Sequence, residues 1–241
     1  VKLNKNMFLL KKDNTSFFHS IVIRRSLGVV LLLLLPLFSF AQRYNFTQYT
    51  IEDGLYSSEV VDMVQDHYRY IWIATPTEGV IKFDGVEFKQ YREADGLVSN
   101  YIQCIYRDKG GNIWMGTKKG ITMYNGYDFH NFTKNLKDPS KGLPDDEIQC
   151  IEEYNKSVYV GTKKGGLAMF KGDGFSSRFA QNSRLSRNIK CLFSDSKGRL
   201  WIGGDNGLAF LKNEKITAFN MLNGLPDNNI NDIIEVNGEI W

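Results

Sequence analysis

The repetition of one short phrase constrains this chain more than any other feature of its sequence. The segment GNIWMGTKKGITMYNG at residues 111–126 recurs as KSVYVGTKKGGLAMFKG at 156–172 and as GRLWIGGDNGLAFLKN at 198–213. The aromatic residue of the phrase sets the register, with successive spacings of 42, 45, 42 and 40 residues. Its five positions are Trp72, Trp114, Tyr159, Trp201 and Trp241. A period in the low forties is typical of four-stranded propeller blades and of helical repeats of the HEAT kind.

The pattern inside each copy distinguishes these two architectures. Apolar residues occur in short runs with β-branched and aromatic character, and glycine or asparagine turns separate the runs. This pattern predicts strands joined by hairpins rather than helices. In the second copy the predicted strands are 102–106, 113–116, 121–124 and 129–132. The pairs Asn125-Gly126, and Asp84-Gly85 in the first copy, predict two-residue type I′ turns before the last strand.

The sequence therefore predicts an all-β fold, a β-propeller built of four-stranded blades of about 42 residues. The predicted blades are 53–94, 95–141, 142–182 and 183–222, with a partial last blade at 223–241. Phe46 and Tyr49 precede Phe88 and Tyr91 by 42 residues, so we predict a closing outer strand at 44–51. Because four blades and two fragments do not close a ring, we interpret 42–241 as the N-terminal part of the propeller of a longer protein.

The N-terminal segment has the pattern of an export signal. Residues 24–41 read RRSLGVVLLLLLPLFSFA, with two arginines, an apolar run and small residues before Ala41. We predict that 1–41 is a signal peptide with an N-terminal extension, cleaved near Ala41, and that the protein is exported. The apolar run is shorter than the roughly 20 residues that span a bilayer, which disfavours a retained anchor. A twin-arginine signal is a weaker alternative.

The charge of the chain is concentrated in this segment. The whole sequence holds 30 Lys and Arg against 27 Asp and Glu, and residues 1–41 contain six of the basic residues and one of the acidic ones. The remainder has 24 basic against 26 acidic residues, a net charge of about −2. A basic nucleic-acid-binding surface is therefore not expected.

An acidic column accompanies the aromatic one. An acid lies six residues before the aromatic in each copy: Asp66, Asp108, Glu153, Asp195 and Glu235. An active site is asymmetric and does not need the same group once per blade. We therefore interpret these acids as turn residues that accept hydrogen bonds from backbone N–H groups.

The cysteines also follow the repeat. Cys104, Cys150 and Cys191 each lie two residues after the isoleucine that begins a predicted inner strand. Equivalent positions on successive blades are expected to be farther apart than the Cα separation of about 4.4–6.8 Å that a disulfide requires. We predict three unpaired, mostly buried thiols.

No metal site, cofactor site or common catalytic motif is readable. His67 and His130 occupy different places in their copies and have no Cys or carboxylate at a ligand spacing. The G-x-S-x-G, P-loop and H-E-x-x-H motifs are absent. The phrase Asp195-x-x-Gly198-x-x-Trp201 is similar to the Asp-box of sialidase propellers, but its spacing differs and the phrase repeats. We expect no catalytic activity in this chain.

The unit at 95–132 resembles the two-component regulator propeller repeat. The shared marks are Gly-Leu before the first strand, the Asp-x-x-Gly turn, Trp followed by Gly-Thr and the closing aromatic pair. The resemblance covers 44–241. The departures are Ala74 for glycine in blade one, Tyr159 for Trp in blade three and Arg184-Leu185 for Gly-Leu in blade four.

The resemblance implies a periplasmic sensor of the Bacteroidetes type. In such proteins about seven or fourteen blades precede a β-sandwich, a transmembrane helix and a cytoplasmic histidine kinase or transcription regulator. It implies that the parent protein is anchored in the inner membrane, senses an extracellular ligand such as an oligosaccharide, and is a candidate for homodimerisation. The missing partners would be the C-terminal propeller, transmembrane and kinase regions.

The polar residues that precede the inner strands are the predicted ligand site, because they differ from blade to blade. Together with two Lys-Lys turns they form the following set: Asn100, Tyr101, Lys118, Lys119, Asp145, Asp146, Lys163, Lys164, Arg187 and Asn188. Lysines beside an aromatic ring would suit an acidic sugar. The alternative is that Lys-Lys before Gly is only a soluble turn.

Two other functions stay open at this stage. Propellers of this kind also occur in secretion machinery and surface complexes, where one face holds another protein. An Asp-box-like glycosidase is a distant third alternative. A transmembrane segment and kinase core downstream of Trp241 would favour the sensor, whereas a C-terminal sorting domain would favour secretion or surface assembly.

Overall fold

A computed structural model describes residues 46–135, 142–177, 182 and 184–241, so the predicted signal segment 1–41 lies outside the described residues. Residues Tyr49–Trp241 form one compact unit. In the described part of the chain, strands alternate with turns and short 3-10 segments, and none of its helices could cross a membrane. The fold is all-β, as the sequence predicts.

Eighteen strands, β1 to β18, are present in the described residues. The first eight are β1 Asp62–Gln65, β2 Ile71–Ala74, β3 Val80–Phe83, β4 Phe88–Tyr91, β5 Ile102–Arg107, β6 Ile113–Thr117, β7 Gly120–Tyr124 and β8 Phe129–Phe132. The next eight are β9 Ile148–Tyr154, β10 Ser157–Thr162, β11 Gly166–Phe170, β12 Phe175–Ser176, β13 Ile189–Ser194, β14 Leu200–Gly204, β15 Gly207–Lys212 and β16 Lys215–Phe219. The last two are β17 Glu235–Val236 and β18 Glu239–Ile240.

Each group of four consecutive strands, from β1–β4 to β13–β16, forms an antiparallel sheet in simple up-and-down order. Within each sheet we name the strands A to D in chain order. The A strands of successive sheets pack side by side, β1 against β5, β5 against β9 and β9 against β13. Strand A is therefore innermost, and the sheets are arranged as blades of a β-propeller.

The packing between blades explains the glycine of the repeated Gly-Thr phrase. The cross-strand pairs at this level are Cys104 with Gly116, Cys150 with Gly161 and Cys191 with Gly203. A Cβ atom on Gly161 would lie 2.5 Å from the Cys150 sulfur and 2.5 Å from Cγ2 of Ile189 in the next blade. Glycine at this position therefore allows strand A of the next blade to approach.

The three cysteines are unpaired, as predicted, but only Cys191 is buried, and Cys104 and Cys150 are partly buried. Burial is the main cause that raises the pKa of Cys104 and of Cys191 to about 12, and it raises the pKa of Cys150 well above its ordinary value. A thiol that stays protonated at neutral pH is a poor nucleophile. The cysteines therefore act as small core residues.

The predicted two-residue turn at Asn125-Gly126 is wrong. Four residues, 125–128, join β7 and β8, and of these only Gly126 has a positive φ, 101°. The Asn125 side-chain oxygen accepts the N–H groups two and three residues later at 2.9 and 2.8 Å. Asp84 forms the equivalent loop in blade one. Because the side chain closes the loop, Asn125 does not need positive φ.

The predicted strands at the two ends of the repeat array differ from the structure. Residues 46–50 are in no strand, Ile51–Asp53 forms a 3-10 turn, and positions 44 and 45 lie outside the described residues. Tyr49 instead packs its ring against Phe83 at 5.1 Å between ring centres. No described strand pairs with 46–50, so its backbone has no ladder to join. In the predicted partial blade 223–241 the described strands are β17 and β18, which pair with each other.

Candidate functional site

The up-and-down order gives each blade two different ends. The A–B and C–D turns lie at one end, which we call the AB face, and the B–C turns and D–A connections lie at the other, which we call the BC face. The structure places all ten predicted site residues in BC-face segments. They are Asn100, Tyr101, Lys118, Lys119, Asp145, Asp146, Lys163, Lys164, Arg187 and Asn188.

Tyr101 and Lys118 form a contact at the start of blade two. The Lys118 Nζ atom lies 5.4 Å from the centre of the Tyr101 ring, and 45% of Tyr101 is exposed. A cation over an aromatic face is favourable and leaves the other face of the ring available. The neighbouring Lys119 instead forms an exposed ion pair with Glu93 at 3.5 Å. The two lysines of this turn therefore have different environments.

The second Lys-Lys turn is held by acids of the preceding D–A connection. Lys163 Nζ lies 2.8 Å from Glu147 Oε1, and the Lys164 backbone N–H donates to Asp145 at 2.8 Å. The hydrogen bond from Lys163 is the main cause that lowers the pKa of Glu147, and the charge of Lys118 contributes. The charge of Lys163 is therefore balanced by the carboxylate of Glu147, whereas Lys118 forms no such ion pair within the described residues.

Three other predicted residues hold the loops of this face. The Asn100 side-chain oxygen accepts the Glu93 N–H at 2.8 Å, and Asp146 accepts the Lys134 N–H at 2.6 Å. Arg187 Nε donates to a backbone carbonyl of the preceding B–C turn at 3.2 Å. Their polar atoms are engaged in fixing backbone, which is a structural role.

A belt of side-chain hydrogen bonds links the inner edges of successive blades on the BC face. In each case the residue after the strand A isoleucine contacts the residue before the strand A isoleucine of the next blade. The pairs are Gln103 with Glu147 at 3.5 Å, Gln149 with Asn188 at 3.0 Å, and Lys190 with Asn229. We call these six residues the polar belt. It joins blades two, three, four and the fifth copy.

The belt is interrupted between blades one and two. The two equivalent positions hold Val61 and Tyr101, which are 44% and 45% exposed. Next to this gap, the Gln103 side-chain oxygen is buried and accepts no hydrogen bond from any described residue. The gap therefore exposes the Tyr101 ring, with the Lys118 ammonium next to it.

Sequence reasoning missed most of the polar belt. It identified the residues before strand A but not the column directly after the isoleucine. That column reads Val61, Gln103, Gln149, Lys190 and Asn231, and so it varies as strongly as the predicted site. The repeat register alone could have revealed it.

The acidic column has a structural role in three blades, as predicted. Asp66, Asp108 and Asp195 accept the indole N–H of the Trp six residues later at 2.9, 2.8 and 2.7 Å. Each also accepts backbone N–H groups of its own A–B turn. These buried carboxylates therefore fix the turn and the core aromatic together.

Glu153 and Glu235 do not occupy the same structural position as these aspartates, although each also lies six residues before its aromatic residue. Blade three closes with a two-residue turn at Asn155-Lys156. Glu153 therefore lies within the paired strands, opposite Val158, and not in the turn itself. Both turn residues have positive φ, 49° and 62°. Glu153 reaches the Lys109 N–H of the preceding blade at 2.6 Å. Glu235 does the same to the blade-four turn.

No cluster of three or more His, Cys, Asp or Glu that could hold a metal ion occurs in the described ranges. The chemistry that the BC face offers is recognition through an aromatic ring, an ammonium group and amide groups. The structure is therefore a β-propeller whose BC face carries polar residues that differ from blade to blade.

Two segments of the chain match a known family model. Residues 96–119 and 183–206 match the family model of the two-component regulator propeller. The chain is 25% identical to the extracellular domain of a protein described as a hybrid two-component system from B. thetaiotaomicron, with a TM-score of 0.70. That match covers 83% of this chain and 29% of the other. Two of its repeats are thus similar to two-component regulator propeller repeats.

Two further matches agree on the fold and the class of relative. A second extracellular domain of a hybrid two-component system from B. thetaiotaomicron is 20% identical, with a TM-score of 0.60 over 80% of this chain and 26% of that one. Histidine kinase P4 of Formosa agariphila is 30% identical over 204 residues, which is 78% of this chain. The chain spans only 14% of the length of that kinase.

Proposed function

We propose that this chain is part of the ligand-sensing propeller of a two-component sensor histidine kinase, and that its ligand binds at the BC face. The observation that carries the proposal is the interruption of the polar belt between blades one and two. There the exposed ring of Tyr101 and the Lys118 ammonium stand where other blade pairs form hydrogen bonds. Similarity to extracellular domains of hybrid two-component systems supports the sensor class.

The groups at this gap fit an acidic sugar. The free face of Tyr101 can stack on a pyranose ring, and Lys118 supplies a positive charge at its edge. Glu147, which the Gln103 amide contacts, would discriminate against ligands that place a second acid there.

The cellular setting follows from the same proposal. We infer an exported, periplasmic chain whose signal segment is cleaved near Ala41 and whose parent protein is held in the inner membrane. In this arrangement the propeller contributes binding, and the kinase chemistry belongs to other parts of the parent. Similarity to an extracellular domain and to a histidine kinase supports this arrangement.

The test is a calorimetric titration of the full chain with uronic and sulfated oligosaccharides, and with neutral oligosaccharides of equal length. We expect binding of an acidic oligosaccharide that weakens about tenfold or more in Tyr101→Ala and in Lys118→Ala, because stacking and charge are each worth more than 1 kcal/mol. Tyr127→Ala is the matched control, since Tyr127 is 90% exposed on the AB face.

Two outcomes would overturn the proposal. One is an affinity for the acidic oligosaccharide that neither Tyr101→Ala nor Lys118→Ala changes. The other is a loss of affinity in Tyr127→Ala that equals the loss in Tyr101→Ala.

A further inference from the structure

A second recess lies on the opposite side of the molecule from the polar belt. It is a cleft on the AB face between blades two and three, with a volume of about 940 Å³. Its walls include the side chains of Trp114, Met169 and Phe170. The rings of Trp114 and Phe170 pack edge to face, with their centres 4.9 Å apart. A cleft of this volume matches the size of small-molecule sites, which span about 300–1,000 Å³.

The corresponding cleft between blades one and two is nearly closed. Its volume is about 140 Å³. Tyr68 and Tyr70 of the blade-one turn line it, and the Lys82 ammonium lies 4.1 Å from the centre of the Tyr70 ring. In the blade-two turn, the same positions hold Gly110 and Asn112. The larger cleft is open because these residues replace two tyrosines.

Three lysines surround the open cleft. They are Lys109, Lys156 and Lys171, and all three are exposed. None forms an ion pair with an acid in the described part of the chain. In contrast, Lys119 and Lys163 on the BC face are each paired with a glutamate. A cleft with an aromatic and a thioether side chain in its wall and three lysines around it favours an anion with an apolar body.

The acids inside the cleft do not cancel this preference. Asp108 and Glu153 line it, but both are buried. Asp108 accepts hydrogen bonds from Asn112 and from the Trp114 indole, and Glu153 accepts the Lys109 N–H. Protein donors hold these two carboxylates, and the three exposed lysines leave an excess of one positive charge around the cleft.

We propose that the AB-face cleft between blades two and three is a second binding site, for an organic anion with a flat apolar body. The apolar body lies against Phe170 and Met169, and the anionic group contacts the ammonium groups of the three lysines. This site is separate from the BC face and does not depend on the function proposed for that face.

The probe for this site is naphthalene-2-sulfonate, with naphthalene-2-sulfonamide as the neutral analogue of the same shape. We expect calorimetry on the full chain at low salt to show one site for the sulfonate. We expect the sulfonamide to bind about tenfold more weakly, because a charge-assisted contact is worth more than 1 kcal/mol. The triple variant Lys109→Gln, Lys156→Gln, Lys171→Gln should bind the sulfonate more weakly than the native chain by the same factor.

A control of equal charge change separates the cleft from general electrostatic attraction. The variant Lys89→Gln, Lys134→Gln, Lys215→Gln removes three exposed lysines outside the cleft. It should bind the sulfonate as the native chain does. Equal weakening by both triple variants, equal binding of sulfonate and sulfonamide, or no binding of the sulfonate would each overturn the proposal.

A second variant tests the shape of the cleft. Asn112→Tyr introduces the residue that stands at the same turn position of blade one. If its thermal unfolding midpoint stays within a few degrees of the native value, we expect sulfonate binding to be lost. Undiminished binding in a folded Asn112→Tyr chain would place the sulfonate elsewhere and refute the site.

Discussion

The AB face and the BC face connect the same strands, but their polar side chains form different kinds of contact. On the AB face, buried aspartates hold an indole and a turn within one blade, as Asp195 does for Trp201. On the BC face, half-exposed amide and charged groups link one blade to the next, as Gln149 does to Asn188. Removing a buried charged acceptor costs more than removing a hydrogen bond that water can replace. The AB face therefore carries more of the stability, and the BC face is freer to vary.

The largest effect is expected for Asp195→Ala. The Asp195 side chain accepts hydrogen bonds from the Trp201 indole, the Arg199 guanidinium and two backbone N–H groups. Its loss leaves these donors unpaired in a largely buried place, so we expect the free energy of unfolding to fall by about 3 kcal/mol. Chemical denaturation at pH 7 measures this change.

Acid should reduce the same contribution. Burial opposes ionisation of Asp195, but the hydrogen bonds from Trp201 and Arg199 outweigh it and lower the pKa below its ordinary value of 3.8. A lowered pKa means that the stabilisation is present above pH 3.8 and is lost as the pH falls through the folded-state pKa. The difference between native chain and Asp195→Ala should therefore shrink in strong acid. Asp173→Ala, in an exposed turn, is the control and should change little at any pH.

A smaller effect of opposite sign is expected for Glu152→Gln on strand A of blade three. Burial is the main cause that raises the pKa of Glu152 to about 6 from 4.5. The ionised carboxylate therefore costs stability above pH 6, and this cost disappears as the pH falls below 4.5. We expect Glu152→Gln to stabilise the chain by about 1 kcal/mol at pH 8, after allowance for partial exposure.

The pH dependence makes this prediction specific. At pH 4 both Glu152 and its Gln replacement are uncharged, so the two chains should unfold at nearly the same denaturant concentration. Equal stability at pH 8, or a stabilisation that persists unchanged at pH 4, would contradict the assignment.

The smallest effect is expected for Gln149→Ala in the polar belt. Gln149 donates one hydrogen bond to Asn188 at 3.0 Å, and both residues are half-buried. Because water can replace this bond, we expect the free energy of unfolding to fall by only about 0.5–1 kcal/mol. A loss as large as that of Asp195→Ala would show that the BC face carries as much stability as the AB face.

The repeat register predicted the fold because each blade repeats the same packing problem. Strand ends in blade two were predicted to within one residue, since the alternation of apolar residues and turns is strong there. The acid column failed at Glu153, because counting residues does not reveal that a two-residue turn shifts the ladder by one. The cleft beside Gly110 could not be predicted, because its size depends on which side chains two neighbouring blades place there.

The ten predicted site residues all lie in BC-face segments, but their contacts differ. Asn100 and Asp146 accept backbone N–H groups there and so hold the loops. Only contacts between blades distinguish them from Tyr101 and Gln103, and a single repeat does not contain those contacts. Sequence reasoning thus assigns these residues to one face, and three-dimensional contacts separate those that hold backbone from those that do not.

Hydrogen exchange of the full chain, with and without a saturating acidic oligosaccharide, tests the central claim most directly. The account predicts slower exchange in the B–C turn around Lys118 and in the segment from Asn100 to Gln103, with the AB-face turns unchanged. Protection confined to the AB-face turns around Lys109 and Lys156, with none near Tyr101, would contradict it.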